Sequence, residues 1–140
     1  MSYNALEQKL EGAAKKVLDD ASGWSIPAYT GEDDDDLGNP RVVCLVESAT
    51  EEQFGSGNYR VTLTVRLTSN VDDTTATAHA ANVKVMRDLF LDDGIAATLS
   101  GNDSEFHVLG IYERTTSKGI DERNWFAEVS LEMLASPSSL

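Results

Sequence analysis

The chain has 140 residues, 24 acidic and 11 basic, with a net charge of −13, a size that suits one domain burying roughly 70% of its unfolded surface. Hydrophobic content of 41% with 25% charged residues reads as globular. The acidity argues against a module that grips phosphate backbones, no apolar run approaches the ~20 residues of a membrane span, and one cysteine excludes an internal disulfide or a paired-cysteine zinc site.

The first residues, Met1 to Glu7, lack the basic and apolar regions of a secretory leader, so the protein is expected to be made and kept in a cytoplasm. Ser2 or Asn4 is expected to cap a first helix, with Glu7 at capping-box distance from Asn4. Leu6, Leu10, Ala13, Ala14, Val17 and Ala21 recur at helical spacing, Glu7, Lys9, Glu11 and Lys15 belong to the wet sides, and Gly23 supplies a stop. Trp24 to Pro40 is broken by Pro27, Gly31, Gly38 and Pro40 and reads as a long loop, with Trp24, Ile26 and Tyr29 alternating as in a short edge strand. Loops of this length carry function or disorder, so Glu32, Asp33, Asp34, Asp35 and Asp36 form a candidate partner or lumen-facing surface. Their spacing is not that of an EF-hand, which needs alternating acids, a central glycine and a distal glutamate.

Arg41 to Ala49 is apolar at successive positions, which predicts a central strand covered on both sides, with Cys44 as a small buried hydrophobe. After a turn at Glu51–Gly57, Asn58 to Ser69 alternates strictly and predicts the second arm of a hairpin. Tyr59, Val61, Leu63, Val65 and Leu67 take one face; Arg60, Thr62, Thr64, Arg66 and Thr68 take the other. That second set is a polar strip without carboxylates in an acidic chain, and it is a candidate subunit interface. Beyond Asn70-Val71-Asp72-Asp73-Thr74-Thr75 the apolar spacing lengthens to three or four. A helix is expected from about Asp73 to Leu91, with His79, Val83, Met86 and Phe90 on one stripe, Asp72 and Asp73 against its dipole and Gly94 past its end.

The last third predicts a brief strand at Ile95–Leu99, a turn at Gly101–Asp103 and a strand from Glu105 to Thr115. That strand has Phe106, Val108 and Tyr112 on one face and Leu109 and Ile111 on the other. Thr116–Glu122 reads as a hairpin loop. Arg123 to Leu134 closes the set, with Trp125, Ala127, Val129, Leu131 and Met133 opposite Glu128, Ser130 and Glu132, and residues 135–140 form a tail without a core pattern. The fold class is α+β: a largely antiparallel sheet with two helices on one face, in a single domain over residues 1–140.

No catalytic set emerges. His79 and His107 have no nucleophile or carboxylate placed with them by any motif, and Gly55-Ser56-Gly57 stands between two strands and not before a helix N-terminus. No nucleophile elbow or zinc-protease motif is present. The expectation is a non-enzyme without cofactor or metal.

Several pieces together resemble the tail-terminator and tail-completion (neck) proteins of long-tailed bacteriophages. They are the strand Tyr59–Leu67, the junction Asn70–Thr75 with Ala78-His79 after it, the run Phe106–Ile111, and Asn124-Trp125 through Met133. The likeness covers roughly Arg41 to Leu134, with the first helix in the expected place. It implies a tail-terminator-like fold and a virion structural protein of the head–tail junction, assembled in the host cytoplasm. The implied form is a ring, a hexamer in most of that group, that ends the tail tube and joins it to the head connector. Implied partners are further copies of the chain, the tail tube protein and the head connector protein. DNA would pass through an acidic lumen without specific binding, and no membrane is involved. From charge alone, a second expectation is an acidic DNA mimic that sequesters a basic nucleic-acid-binding partner; the crowding of five acids into one loop counts against it.

Overall fold

Strict alternation along residues 59–68 becomes the central strand of a five-stranded sheet, and every other element is placed by how it covers that strand's apolar side. The computed structural model describes residues 3–31, 40–53, 55–103 and 105–137. In chain order these form α1 (Tyr3–Asp19), β1 (Ala28–Thr30), β2 (Arg41–Glu51), β3 (Tyr59–Asn70), α2 (Ala76–Phe90), α3 (Ile95–Gly101), β4 (Phe106–Asp121) and β5 (Asn124–Pro137). The sheet is open, in the order β1-β2-β3-β5-β4. β1 runs parallel to β2, and all other neighbours are antiparallel.

Val61, Leu63, Val65 and Leu67 of β3 are fully buried beside Ala127, Val129, Leu131 and Met133 of β5. Three helices close this side: α1 through Leu6, Leu10, Ala14 and Leu18, α2 through Val83, Met86 and Phe90, and α3 through Ile95 and Leu99. Each large aliphatic or aromatic side chain so buried contributes about 1.5–3 kcal/mol.

The expected two helices are three. Ile95–Leu99 is helix and not strand, because Ile95 and Leu99 stand four apart and both enter the core. Over five residues a period of two and a period of 3.6 select the same apolar pair, so only packing decides. α2 starts at Ala76, later than expected, where Thr75 Oγ1 accepts from the Ala78 N–H at 3.1 Å as the N-cap. Asp72 and Asp73 therefore lie outside its first turn. α1 begins at Tyr3, ahead of Asn4, and Ser2 lies outside the described residues. Gly23, four residues past the end of α1, takes a φ of +80°.

Two strands run further than their composition suggests. β4 continues through Thr116–Asp121, and the hairpin closes on Glu122 and Arg123 alone, Glu122 taking a φ of +55°. This polar stretch is strand because β5 pairs with it residue by residue; it is polar because side chains from Tyr112 to Ile120 are exposed. At the other end β5 runs to Pro137, and Ala135, assigned above to a tail, is fully buried.

β4 also breaks its own parity. Bulges between Val108 and Gly110 and between Ile111 and Glu113 each insert one residue. Ile111 thereby joins Phe106 and Val108 at the core, while Leu109 and Tyr112 face out. That reverses the faces predicted for Ile111 and Tyr112. β2 is interior to the sheet but is not covered on both sides: Val42, Cys44 and Val46 enter the core, whereas Leu45 is exposed.

Candidate interaction site

The face of the sheet turned away from the helices carries Arg60, Thr62, Thr64, Arg66 and Thr68 on one strand, as their alternation requires. Register places carboxylates beside them that the linear sequence keeps far away: Thr62 pairs with Glu132 and Arg66 with Glu128. Arg66 Nη1 lies 3.4 Å from Glu128 Oε1, and its guanidinium stacks 4.2 Å from the centre of the Phe126 ring. Arg60 reaches Glu52 at 3.4 Å and Glu132 at 3.7 Å and lies 5.2 Å from the Tyr112 ring centre. Glu52, above all, raises the Arg60 pKa. Thr64 and Thr68 are buried between their cross-strand neighbours. The strip is thus a ladder in which two arginines face three glutamates, and solvent screening keeps such exposed pairs weak.

The junction after β3 has a structural task. Asn70 Oδ1 accepts from the Asp72 N–H at 2.8 Å, and Asp72 holds Arg123 through both carboxylate oxygens. The Val71 N–H also donates to the Arg123 carbonyl at 2.8 Å. The tip of the β4–β5 hairpin is thereby fastened to the junction between β3 and α2.

Between that helix and that hairpin lies a groove of about 730 Å³. Its floor is apolar: Ala76, Ala80 and Val83 from α2, Ile120 from β4 and Trp125 from β5. Lys84, Arg87 and Asp88 on the helix and Lys118 on the strand add charge to its lining. His79 lies at one end, its Nδ1 3.1 Å from Ser69 Oγ and its ring tilted 31° against Trp125 at 5.5 Å. The groove exists because α2 covers β5 and stops short of the far half of β4, where Ile120 stays 61% exposed. Lys118, Ile120 and Arg87 were not singled out from sequence. The available signal was Arg87 standing four and eight residues beyond Val83 and His79, with Lys118 and Ile120 sharing strand parity.

Burial holds the His79 imidazole below its ordinary value of 6.5. The folded state then binds this proton less readily than the unfolded chain. The group leaves stability unchanged above about pH 6.5 and subtracts from it as pH falls below that value. His79→Gln is expected to lose less stability than the parent between about pH 7.5 and pH 5.5, as read by urea unfolding at both values.

Cys44 is fully buried, and burial first, then the Glu11 carboxylate, pushes its thiol up to about 12. It is an inert core group at neutral pH. His107 is exposed on β4 opposite Ser136. Among the described residues no group of three or more His, Cys, Asp or Glu side chains is placed to hold a metal ion, and no helix is long and apolar enough to cross a membrane. The run Glu32, Asp33, Asp34, Asp35 and Asp36 lies outside the described residues. No protein-family model and no curated protein matches the chain.

Proposed function

We propose that the chain is a non-enzymatic virion structural protein of a phage head–tail junction. Its fold is tail-terminator-like, and it acts as a ring, a hexamer in the closest form of the reading, that ends the tail tube and joins it to the head connector. The observation that carries this reading is the one-sided build of the sheet. Helices take one face, while the other keeps an ordered ladder of arginine, threonine, glutamate and aromatic side chains, and β4 is an edge strand whose stretch beyond its two bulges, from Glu113 to Asp121, pairs on one side with β5. An edge strand of this kind is a template for pairing with another chain. The resemblance of the Asn70–His79 junction and of the Trp125 strand to tail-completion proteins supports the same assignment. The net charge of −13 suits a ring whose lumen lets DNA slide past without adhering.

The purified chain, alone and mixed with tail tubes, is expected to give ring-shaped particles in negative stain and a multiple of the 15.2 kDa chain mass in solution. A strict monomer that binds no tube end overturns the reading. Within a ring, Arg60→Glu combined with Arg66→Glu removes the cations of the exposed ladder; assembly that survives both changes takes that strip out of the interface.

A further inference from the structure

We propose that the groove between α2 and the β4–β5 hairpin is the receiving half of a head-to-tail contact between copies of this chain. Its occupant is the acidic run Glu32–Leu37 of the next copy. The inference rests on the ring reading only in requiring that copies meet.

The first observation concerns cations. Eight lysine and arginine side chains, on elements from α1 to the β4–β5 turn, sit in ion pairs within the chain. Arg87 and Lys118 have no carboxylate partner among the described residues, and both line the groove. Two basic groups without a carboxylate partner among the described residues thus stand on one groove of an acidic chain. Arg87 Nε is in addition buried with no hydrogen-bond partner. A buried donor left so is unfavourable, and a bound acceptor relieves it.

The second observation is chemical fit. The groove joins those two cations to an apolar floor that includes Ile120, which is mostly exposed. A ligand for it needs several carboxylates next to an aliphatic side chain. Glu32-Asp33-Asp34-Asp35-Asp36-Leu37 has that composition in six consecutive residues, the densest negative charge in the chain.

The third is topology. In sequence, residues 32–37 join β1 to β2, and β1 is one edge strand of the sheet; the groove is lined by α2, by β5 and by β4, the opposite edge strand. Four strand spacings, roughly 19 Å, separate the edges. A donor on one edge and a receiver on the other make a heterologous contact, the kind that repeats around a ring.

Three full-length variants test this by light scattering and native mass spectrometry at two salt concentrations. The first is Arg87→Glu with Lys118→Glu. The second is Lys118→Glu alone, which alters an exposed side chain and leaves the core intact. The third is Asp33, Asp34, Asp35 and Asp36 each changed to Lys. The parent is expected to associate, and the double groove reversal and the loop reversal are each expected to weaken association roughly tenfold or more. Lys118→Glu gives a smaller loss, and salt weakens the parent. Mixing groove-reversed with loop-reversed chains is expected to restore mixed assemblies. Rings that persist in both reversals overturn this contact and leave the ring reading standing, whereas a monomeric parent overturns both. Loss on groove reversal with no effect of the loop reversal assigns the groove to another acidic partner and overturns the occupant. A loop that docks within its own chain, seen as groove-dependent ordering at monomer mass, overturns it as well.

Discussion

Phe90→Ala is expected to destabilise the protein by about 3–5 kcal/mol, the range for emptying a buried phenylalanine site. Phe90 is the last residue of α2, is fully buried, and enters the core one short link before Ile95 begins α3. Phe90 shares one core with Ile95 and Leu99 of α3, and the elements around it are held in place: α2 is capped by Thr75, and the α2–α3 link is tied to β4 by Arg114, whose Nη1 donates to the Leu91 carbonyl at 3.1 Å. Against the 5–15 kcal/mol that domains hold in total, the loss is a large fraction, worth roughly 10–15 °C in Tm at this length. Val85→Ala on the same helix is the control. That side chain is 39% exposed, and its removal is expected to stay within about 0.5 kcal/mol. Thermal unfolding of the two variants compared with the parent checks the difference; equal losses would mean that α2 does not pack through its Val83–Met86–Phe90 side.

Where periodicity was long, it predicted position well. Ten alternating residues of β3 place Arg60 through Thr68 on one face, and the five apolar positions of β5 from Trp125 turn toward the helices. Short or interrupted patterns failed for identifiable reasons. Ile95–Leu99 offers five residues, too few to separate two periods. In β4 two bulges insert Leu109 and Tyr112, and a bulge leaves no local signal because it is a property of the pair and not of one strand. The polar end of β4 looks like a loop because its partner strand, and not its own composition, makes it a strand. The same limit governs the surfaces. The Arg60–Thr68 face carries no carboxylate of its own, yet the β3–β5 register delivers Glu128, 62 residues from Arg66, and Glu132, 72 residues from Arg60, beside it. The groove follows from what α2 leaves uncovered, which depends on the position of a helix relative to a hairpin arm.

Glu11→Ala is the second change expected to have a large effect, at about 1–3 kcal/mol, although helix spacing assigns Glu11 to the wet side of α1. Glu11 lies in one row with Ala14 and Leu18, and it is only 5% exposed. Its carboxylate performs a task that a missing strand would otherwise perform. β1 pairs with β2 only from Ala28 opposite Val42 to Thr30 opposite Cys44. The next β2 amide on that side, at Val46, lies beyond the end of β1, and Glu11 Oε2 accepts from it at 2.8 Å. Gly31 keeps the approach open, since a Cβ there would meet Leu45 and come within 3.2 Å of the same carboxylate oxygen. Alanine leaves the Val46 N–H buried and unpaired. The loss is partly offset because a buried carboxylate no longer has to be desolvated and because alanine favours helix. Glu11→Gln keeps an acceptor and is expected to fall between the parent and Glu11→Ala in urea unfolding. Hydrogen exchange separates this account from a general loss of packing. Protection of the Val46 amide should fall first and furthest in Glu11→Ala, while amides in β3 keep theirs; uniform loss across the sheet would show that Glu11 acts through α1 packing and not through the end of β1.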